Sequence, residues 1–195
     1  MDAVNWDRMC KIFAMHCKTG EFTLSSGKQS DFYINLRSPL GYTGALRELG
    51  NSLVGFLEQS GANVYAGPAS AALPIMTSAM LHPTADCRFF GDGRELKMCY
   101  TRSSKKKHGL KNQVEGPELV EKDRVILVDD VLTTGKSLIE CGEALLATYP
   151  CQIVGVWVAV DRCEGGKEAL KACFPDLFAV TSVFRKEHLL AVMDS

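Results

Sequence analysis

The chain has 195 residues, of which 46% are hydrophobic and 23% are charged, and its formal net charge is −1. This length and composition can bury the core of one globular domain, and the near-neutral charge excludes a global attraction to nucleic acid or to an anionic membrane. No apolar run approaches the roughly 18 residues of a membrane-spanning helix.

The eight cysteines are scattered and include no C-x-x-C pair, so neither a zinc site nor a redox pair is predicted. Most of them stand in apolar periodic stretches, which predicts buried thiols in a reducing cytosol. The first residues lack the basic and apolar regions of a signal peptide. We therefore expect a cytoplasmic protein.

A helix and a hairpin are predicted at the N-terminus. Apolar residues recur at helical spacing at Trp6, Met9, Cys10, Phe13 and Cys17. Phe22 and Leu24 alternate with polar residues, as do Phe32, Ile34 and Leu36, with Ser25–Lys28 between the two runs. This alternation predicts a hairpin or small flap, and an edge hairpin that only covers the core is the alternative.

A helix, a short strand and a loop of small residues follow. Leucines mark the helix from Tyr42 to Leu57, the strand is predicted over Asn63–Ala66, and the loop spans Gly67–Pro74. Small side chains let the backbone approach a ligand closely. A tight turn that packs a helix onto a sheet explains this piece nearly as well.

The longest polar stretch, Arg102–Gly116, follows a predicted strand at Leu96–Thr101. Its basic residues and glycines are compatible with a solvated loop or a nucleic-acid patch. The patch is short in a near-neutral chain and has few aromatic neighbours, so it is weak evidence for nucleic acid. A closing lid that brings cations onto phosphates is the third interpretation.

The most informative segment is Arg124–Ser137. An apolar run ends in Asp129 and Asp130, and a loop of small residues leads into a helical pattern. Vicinal ribose hydroxyls can donate to two carboxylates, and backbone N–H groups at a helix start favour a phosphate. The sequence therefore predicts a ribose phosphate site, with an ordinary buried strand and capped helix as the alternative. A P-loop is excluded, since that pattern requires glycine where Asp130 stands.

A second charged pair, Asp161-Arg162, follows the buried strand predicted over Gln152–Val160. The planar guanidinium of Arg162 can clamp a carboxylate, although a local Asp161–Arg162 pair or a helix cap is the alternative. Another helix, strand and helix complete the chain. Alternating strands and helices without a linker predict one α/β domain with a mainly parallel sheet flanked by helices.

Four segments carry a resemblance to a known family. The strand, acidic pair and small loop of Val125–Ser137 resemble the phosphoribosyl diphosphate (PRPP) motif of type I phosphoribosyltransferases. Three others are similar to orotate phosphoribosyltransferases: Phe22–Lys28 with Phe32–Ile34, Arg102–Gly109, and Asp161-Arg162. The resemblance implies the type I phosphoribosyltransferase fold with a small N-terminal hood, as a single domain over 1–195. The hood covers about 1–40, the core about 41–195 and a mobile catalytic loop about 102–118.

The resemblance also implies a role for each matching residue. The implied catalytic residues are Arg102, Lys106, His108 and Asp130. The implied PRPP-binding residues are Ser25, Ser70, Ala71, Ser103, Asp129, Asp130, Val131, Leu132, Thr133, Thr134, Gly135, Lys136 and Ser137. The implied orotate-binding residues are Lys28, Tyr33, Ile34, Thr133 and Arg162. Magnesium would be held mainly by PRPP, with Asp129 contributing through water and no direct protein ligand.

Three positions depart from the pattern of the family. Serine or alanine stands where many members carry lysine, at Ser25, Ala71 and Ser103. Ser103 removes a cation that would contact the diphosphate. These departures bear on the efficiency of the reaction more than on its identity.

The implied reaction is the transfer of a phosphoribosyl group from PRPP to N1 of orotate, giving orotidine 5′-monophosphate and diphosphate for pyrimidine biosynthesis. The implied assembly is a homodimer in which the catalytic loop serves the neighbouring subunit, without nucleic acid or membrane as partner. A PRPP-sensing regulator of the same fold and a phosphoribosyltransferase for another base are the alternatives.

Overall fold

The computed structural model describes residues 3–23, 29–82, 94–102 and 113–193. In these segments a small two-stranded sheet near the N-terminus accompanies a six-stranded sheet. The helices are α1 Ala3–Ala14, α2 Thr43–Ser60, α3 Ala72–Met80, α4 Lys136–Thr148, α5 Gly166–Cys173 and α6 Lys186–Met193, with a 3₁₀ turn at Pro39–Gly41. The strands are β1 Cys17–Thr23, β2 Gln29–Ile34, β3 Val64–Pro68, β4 Lys97–Thr101, β5 Val114–Glu115, β6 Arg124–Leu132, β7 Gln152–Asp161 and β8 Ala179–Arg185.

The large sheet has the strand order β5-β4-β3-β6-β7-β8. Its neighbouring strands are parallel except for β5, which runs antiparallel to β4. A parallel sheet needs helical crossovers on its faces, so its central strands are buried on both sides. Residues 153–160 of β7 are all buried, which is why this strand reads as an unbroken apolar run. The predicted mainly parallel sheet flanked by helices is confirmed.

Two apolar clusters lie on the sheet, one containing residues from the N-terminal part of the chain. In that cluster Phe13 of α1 stacks on Phe184 of β8 with ring centroids 5.2 Å apart. Phe32 of β2 is completely buried in the same cluster. The β1–β2 hairpin, predicted from its alternation, is therefore packed onto the core through one face.

Several sequence predictions differ from the structure in detail. Cys17 begins β1 instead of continuing the helical face, since α1 ends at Ala14. The loop predicted over 102–118 ends earlier, because Val114 and Glu115 pair with β4. Of the cysteines predicted to be buried, Cys163 and Cys173 are exposed, while five others are buried.

The described part of the chain has no helix that is long and apolar enough to cross a membrane.

Candidate active site

The candidate site lies at one edge of the large sheet. The strands β3, β4, β6 and β7 are parallel neighbours, so their carboxyl ends meet at this edge. The small loop after β3, Arg102 after β4, the acidic segment of β6 and Arg162 after β7 all lie there. The topology thus brings together predicted residues that are far apart in the chain. It does so outside the carboxyl ends of the strands, where ligands of open α/β sheets bind.

The two acids lie within the last part of β6, since the strand continues to Leu132. The backbone N–H of Asp130 donates to Oδ1 of Asp129 at 2.9 Å, and the N–H of Val131 donates to Oδ1 of Asp130 at 2.8 Å. Burial, reinforced by the charge of Asp130, raises the pKa of the Asp129 carboxyl well above its ordinary value. Burial also raises the pKa of Asp130, although hydrogen bonds and the Arg37 charge oppose this. Two desolvated acids side by side need hydrogen-bond donors or a cation from a ligand.

The loop after the acids forms a small concave surface at the start of α4. A cavity of ≈ 40 Å³ lies there and is lined by Asp129 and residues 131–138. Gly135 takes a left-handed conformation with φ of 81°, which places the helix start directly against the loop. The first N–H groups of a helix lack intrahelical partners and attract a phosphate. The predicted residues Thr133–Ser137 therefore form one continuous surface suited to a phosphate.

Helix α5 packs closely against this loop, a contact that was not predicted from the sequence. A Cβ atom added to Gly166 would lie 2.4 Å from the Thr133 carbonyl oxygen and 2.7 Å from Leu132 Cδ1. A Cβ atom added to Gly135 would likewise lie 3.0 Å from the Gly166 carbonyl oxygen. These two glycines let the β7–α5 segment support the loop directly. A pair of glycines in a sequence gives no indication of which backbones they bring together.

Arg162 directly follows β7 and forms hydrogen bonds with both the end of β6 and the hairpin. Its backbone N–H donates to the Leu132 carbonyl at 2.9 Å. Its side chain is 5% exposed, and Nη2 donates to the Phe32 carbonyl at 2.8 Å. The neighbours of Phe32 along β2 include the predicted residues Tyr33, which is 41% exposed, and Ile34, which is buried. The structure thus places the predicted carboxylate clamp beside the predicted base-binding strand.

The Arg162 side chain has an acidic partner that the sequence analysis missed. Its Nη2 lies 2.8 Å from Oε1 of Glu164. The local alternative had named Asp161, but the Asp161 carboxylate accepts the backbone N–H of Cys163 at 2.8 Å. The charge of Arg37, which opposes the rise in the pKa of Asp130, was also not predicted. Both residues were missed because the sequence does not show in which direction a charged side chain points.

The loop after β3 and the residue after β4 lie at the same edge as the acids. The N–H of Ala69 donates to the Thr101 carbonyl at 2.8 Å, which holds this loop against the end of β4. Ser70 is exposed and Ala71 is half-buried. Arg102 forms an ion pair with Glu115 at 3.1 Å, so its described salt bridge is with β5 rather than with the acid pair. Five predicted site residues lie outside the described part of the chain: Ser25, Lys28, Ser103, Lys106 and His108.

A cavity much larger than the one in the loop does not coincide with this edge. It has a volume of ≈ 850 Å³ and lies between α2 and α3, with Leu46, Leu73 and Leu81 among its lining residues. None of its lining residues belongs to the acid pair, the β6 loop or Arg162. We assign the candidate site from converging polar groups, because size alone does not indicate chemistry.

Comparison with known proteins identifies the class. The sequence model described as the phosphoribosyl transferase domain matches residues 60–182, which include the acid pair, the small loop and Arg162. Together with the parallel sheet, these features define a phosphoribosyltransferase of type I.

Similar proteins narrow the class to one family. The orotate phosphoribosyltransferase of Pyrococcus furiosus is 36% identical over 156 residues, covering 79% of this chain and 79% of that protein. A crystal structure of the Mycobacterium tuberculosis orotate phosphoribosyltransferase in complex with Fe(III) dicitrate has a TM-score of 0.74 at 28% identity, covering 95% of this chain and 98% of that one. A structure of the M. tuberculosis enzyme with PRPP has a TM-score of 0.72 at 25% identity, with the same coverage. The chain belongs to the orotate phosphoribosyltransferase family.

Proposed function

We propose that this protein transfers the phosphoribosyl group of PRPP to N1 of orotate, producing orotidine 5′-monophosphate and diphosphate. The observation that carries the proposal is the set of hydrogen bonds that Arg162 makes at the carboxyl ends of the strands. The Arg162 backbone is hydrogen-bonded to the end of the strand that holds the acid pair, and its side chain to the base-binding strand. A ribose phosphate site and a carboxylate site are therefore adjacent.

The residues divide between the two substrates. Asp129 and Asp130 accept the ribose hydroxyls, and the loop over 131–137 binds the 5′-phosphate. The small loop with Ser70 and Ala71 faces the diphosphate, to which Ser25 and Ser103 are assigned from the sequence. Orotate lies between the β2 backbone and Arg162, near Thr133, with Lys28 from the hairpin.

Catalysis depends on charge that develops as the bond to C1 breaks. The ribose becomes cationic at C1 and the diphosphate leaves as an anion. Arg102, Lys106 and His108 stabilise the departing oxygens, and closure of their loop excludes water. The orotate nitrogen is itself the nucleophile, so the protein needs no covalent Ser, Cys or His.

Magnesium fits the acid pair. Among the described residues no group of three or more His, Cys, Asp or Glu side chains is arranged to hold a metal. Magnesium often uses one or two carboxylates together with substrate phosphates and waters. Burial and the charge of Asp130 raise the pKa of Asp129, so a nearby cation would favour its ionised form. PRPP would hold the ion, with Asp129 contributing through water. When bound, the ion neutralises charge on the diphosphate.

We also propose a cytosolic homodimer in which the loop of one subunit serves the site of the other. The shared site is what the resemblance to the family implies, and in this chain Arg102, at the start of the loop, forms an ion pair with Glu115 of β5. The seven described cysteines are free thiols, in keeping with a reducing compartment.

The test is an assay of the loss of orotate absorbance with PRPP and magnesium. We expect turnover with orotate and none, or very little, with uracil, hypoxanthine or adenine. Turnover with another base would assign a different phosphoribosyltransferase. PRPP binding without any turnover would identify a PRPP-sensing regulator.

The Lys106→Ala variant tests the assignment of the loop. We expect its turnover to fall about 10²- to 10³-fold, as for the loss of one preorganised donor, without a change in thermal unfolding. The exposed Lys171 on α5 provides the control, and Lys171→Ala should retain activity. Near-wild-type turnover of Lys106→Ala would contradict the role of this lysine.

A further inference from the structure

The guanidinium of Arg162 is already engaged in the structure. Its Nη2 contacts two acceptors, the Phe32 carbonyl and Oε1 of Glu164, each at 2.8 Å. The side chain of Arg162 is 5% exposed and that of Glu164 is 16% exposed. A buried arginine and carboxylate of this kind form a charge pair with little screening by water.

The geometry of a guanidinium group makes these two contacts of Nη2 important for substrate binding. A carboxylate binds a guanidinium in bidentate fashion along one of two edges, Nε with Nη2 or Nη1 with Nη2, because Cδ covers the third edge. Both edges include Nη2, which carries only two N–H bonds. In Arg162 the Nη2 atom donates to the Phe32 carbonyl and lies 2.8 Å from Oε1 of Glu164. A bidentate substrate carboxylate must therefore replace one of these acceptors.

The two acceptors differ in how readily they can leave. The Phe32 carbonyl belongs to the backbone of β2, and its residue pairs with Thr19 in the hairpin. The Glu164 carboxylate ends a rotatable side chain in the turn between β7 and α5. Its second oxygen, Oε2, is buried without a hydrogen-bond partner among the described residues. Glu164 is thus the acceptor that a ligand can displace.

We propose that Glu164 occupies, in the empty site, the position that the carboxylate of orotate takes on Arg162. The inference rests on the proposed function. Orotate displaces Glu164 when it binds, and Glu164 returns to Arg162 when the product leaves with the same carboxylate. Glu164 keeps the buried cation neutralised between turnovers, at the expense of weaker binding of both carboxylate ligands. It is a positioning residue, since it acts through Arg162.

Two nucleotides that differ only in the carboxylate provide the test. Orotidine 5′-monophosphate carries it on the base, and uridine 5′-monophosphate does not. The Glu164→Gln variant keeps the side-chain size and an acceptor oxygen for Nη2 but removes the competing charge. We expect its Kd for orotidine 5′-monophosphate to fall at least about threefold, because one like charge is removed beside the ligand. The KM for orotate should fall with it, while the Kd for uridine 5′-monophosphate and the KM for PRPP stay within about twofold.

A matched variant controls for the change in charge alone. Glu187 pairs with Arg185 on the surface, where both side chains are more than half exposed. Glu187→Gln makes the same substitution there and should leave both nucleotide affinities unchanged. If Glu164→Gln does not fold, Glu164→Ala removes the same charge and is expected to shift the two nucleotides in the same way.

The possible failures are distinguishable. Equal shifts for the two nucleotides, or weaker binding of orotidine 5′-monophosphate, would overturn the displacement by showing a structural or orienting role. Equal affinity of the wild type for both nucleotides would reject Arg162 as the carboxylate site, and the inference with it. Absence of orotate turnover by the wild type would reject the proposed function itself.

Discussion

Asp129 combines burial with a second acid directly beside it in the chain. It is 7% exposed at the end of a buried strand and has a second acid as its neighbour in the chain. Burial and that neighbouring charge both disfavour its ionised form. The ionised carboxylate therefore carries a cost in free energy that, in the proposed function, ribose hydroxyls and magnesium offset on binding.

The Asp129→Asn variant should separate stability from function. A raised pKa means that the folded state binds a proton more tightly than the unfolded state, so the penalty grows as pH rises above the ordinary value of about 4. Removing this acid should raise the midpoint of thermal unfolding at pH 7, and the gain should shrink as pH falls toward about 4 and disappear below it. Turnover should decrease at least about 10²-fold through the loss of a charged contact.

Thermal unfolding between pH 3 and pH 8 provides the measurement for Asp129→Asn. The exposed Asp176 gives a control, because Asp176→Asn changes the same chemical group in contact with water. A variant that is less stable than the wild type at pH 7 would show that Asp129 contributes more through hydrogen bonding than it loses through burial.

The elements that form the site are held together by backbone contacts rather than by large side chains. Helix α5 begins with Gly166, which lies against the carbonyl of Thr133 in the predicted phosphate loop. The chain before α5 is also hydrogen-bonded to the end of β6, through the N–H of Arg162 and the Leu132 carbonyl. One connection, from β7 to α5, therefore contacts the predicted phosphate loop and carries both Arg162 and Glu164.

The Gly166→Ala variant tests this support. Its Cβ would lie 2.4 Å from a backbone oxygen, so α5 or the loop must move. We expect a loss of about 1–3 kcal/mol in the free energy of unfolding, typical of overpacking. The KM for PRPP should rise several-fold through displacement of the loop. Urea unfolding and steady-state kinetics measure the two effects.

A helical glycine without close neighbours provides the comparison for Gly166. A Cβ atom at Gly55 in α2 meets nothing within 4 Å in the described parts of the chain. Gly55→Ala should be neutral or stabilise by up to about 1 kcal/mol, as alanine favours a helix interior. Unchanged PRPP kinetics in Gly166→Ala would indicate that the loop does not depend on α5.

The whole molecule gathers the site from distant parts of the sequence. Phe32 belongs to the hairpin, the acids to β6 and Arg162 to the end of β7, yet hydrogen bonds connect these segments. Arg102, at the start of the predicted catalytic loop, forms an ion pair with Glu115 of β5. The proposed homodimer raises the question of which subunit's acids the loop serves.

Mixed dimers answer that question. Lys106→Ala and Asp130→Asn each inactivate a site through a different part of it. If the loop acts across a two-fold interface, a mixed dimer has one intact site and one doubly altered site. With half of the dimers mixed, coexpression should restore about a quarter of wild-type activity, whereas each variant alone stays inactive. Activity no higher than that of the separate variants would place the loop in its own subunit's site.

The sequence was most informative where chemistry and local order coincide. The alternation of Phe32 and Ile34 predicted the hairpin, and the apolar run before Asp129 predicted a buried parallel strand, because periodicity follows directly from burial. The boundaries were less predictable. Val114 and Glu115 form a strand of only two residues, and such a short pairing depends on its partner β4 rather than on its own composition.

By itself, the sequence determined the acid pair beside a phosphate loop, the order of strands and helices, and the family that these motifs indicate. Each is a local pattern of residue types, and local patterns survive without knowledge of the fold. Only the tertiary structure decided that Arg162 spans from the β6 loop to Phe32 and that Glu164, rather than Asp161, holds its guanidinium. The direction of a side chain depends on packing and on backbone turns far along the chain, and therefore no spacing in the sequence specifies it.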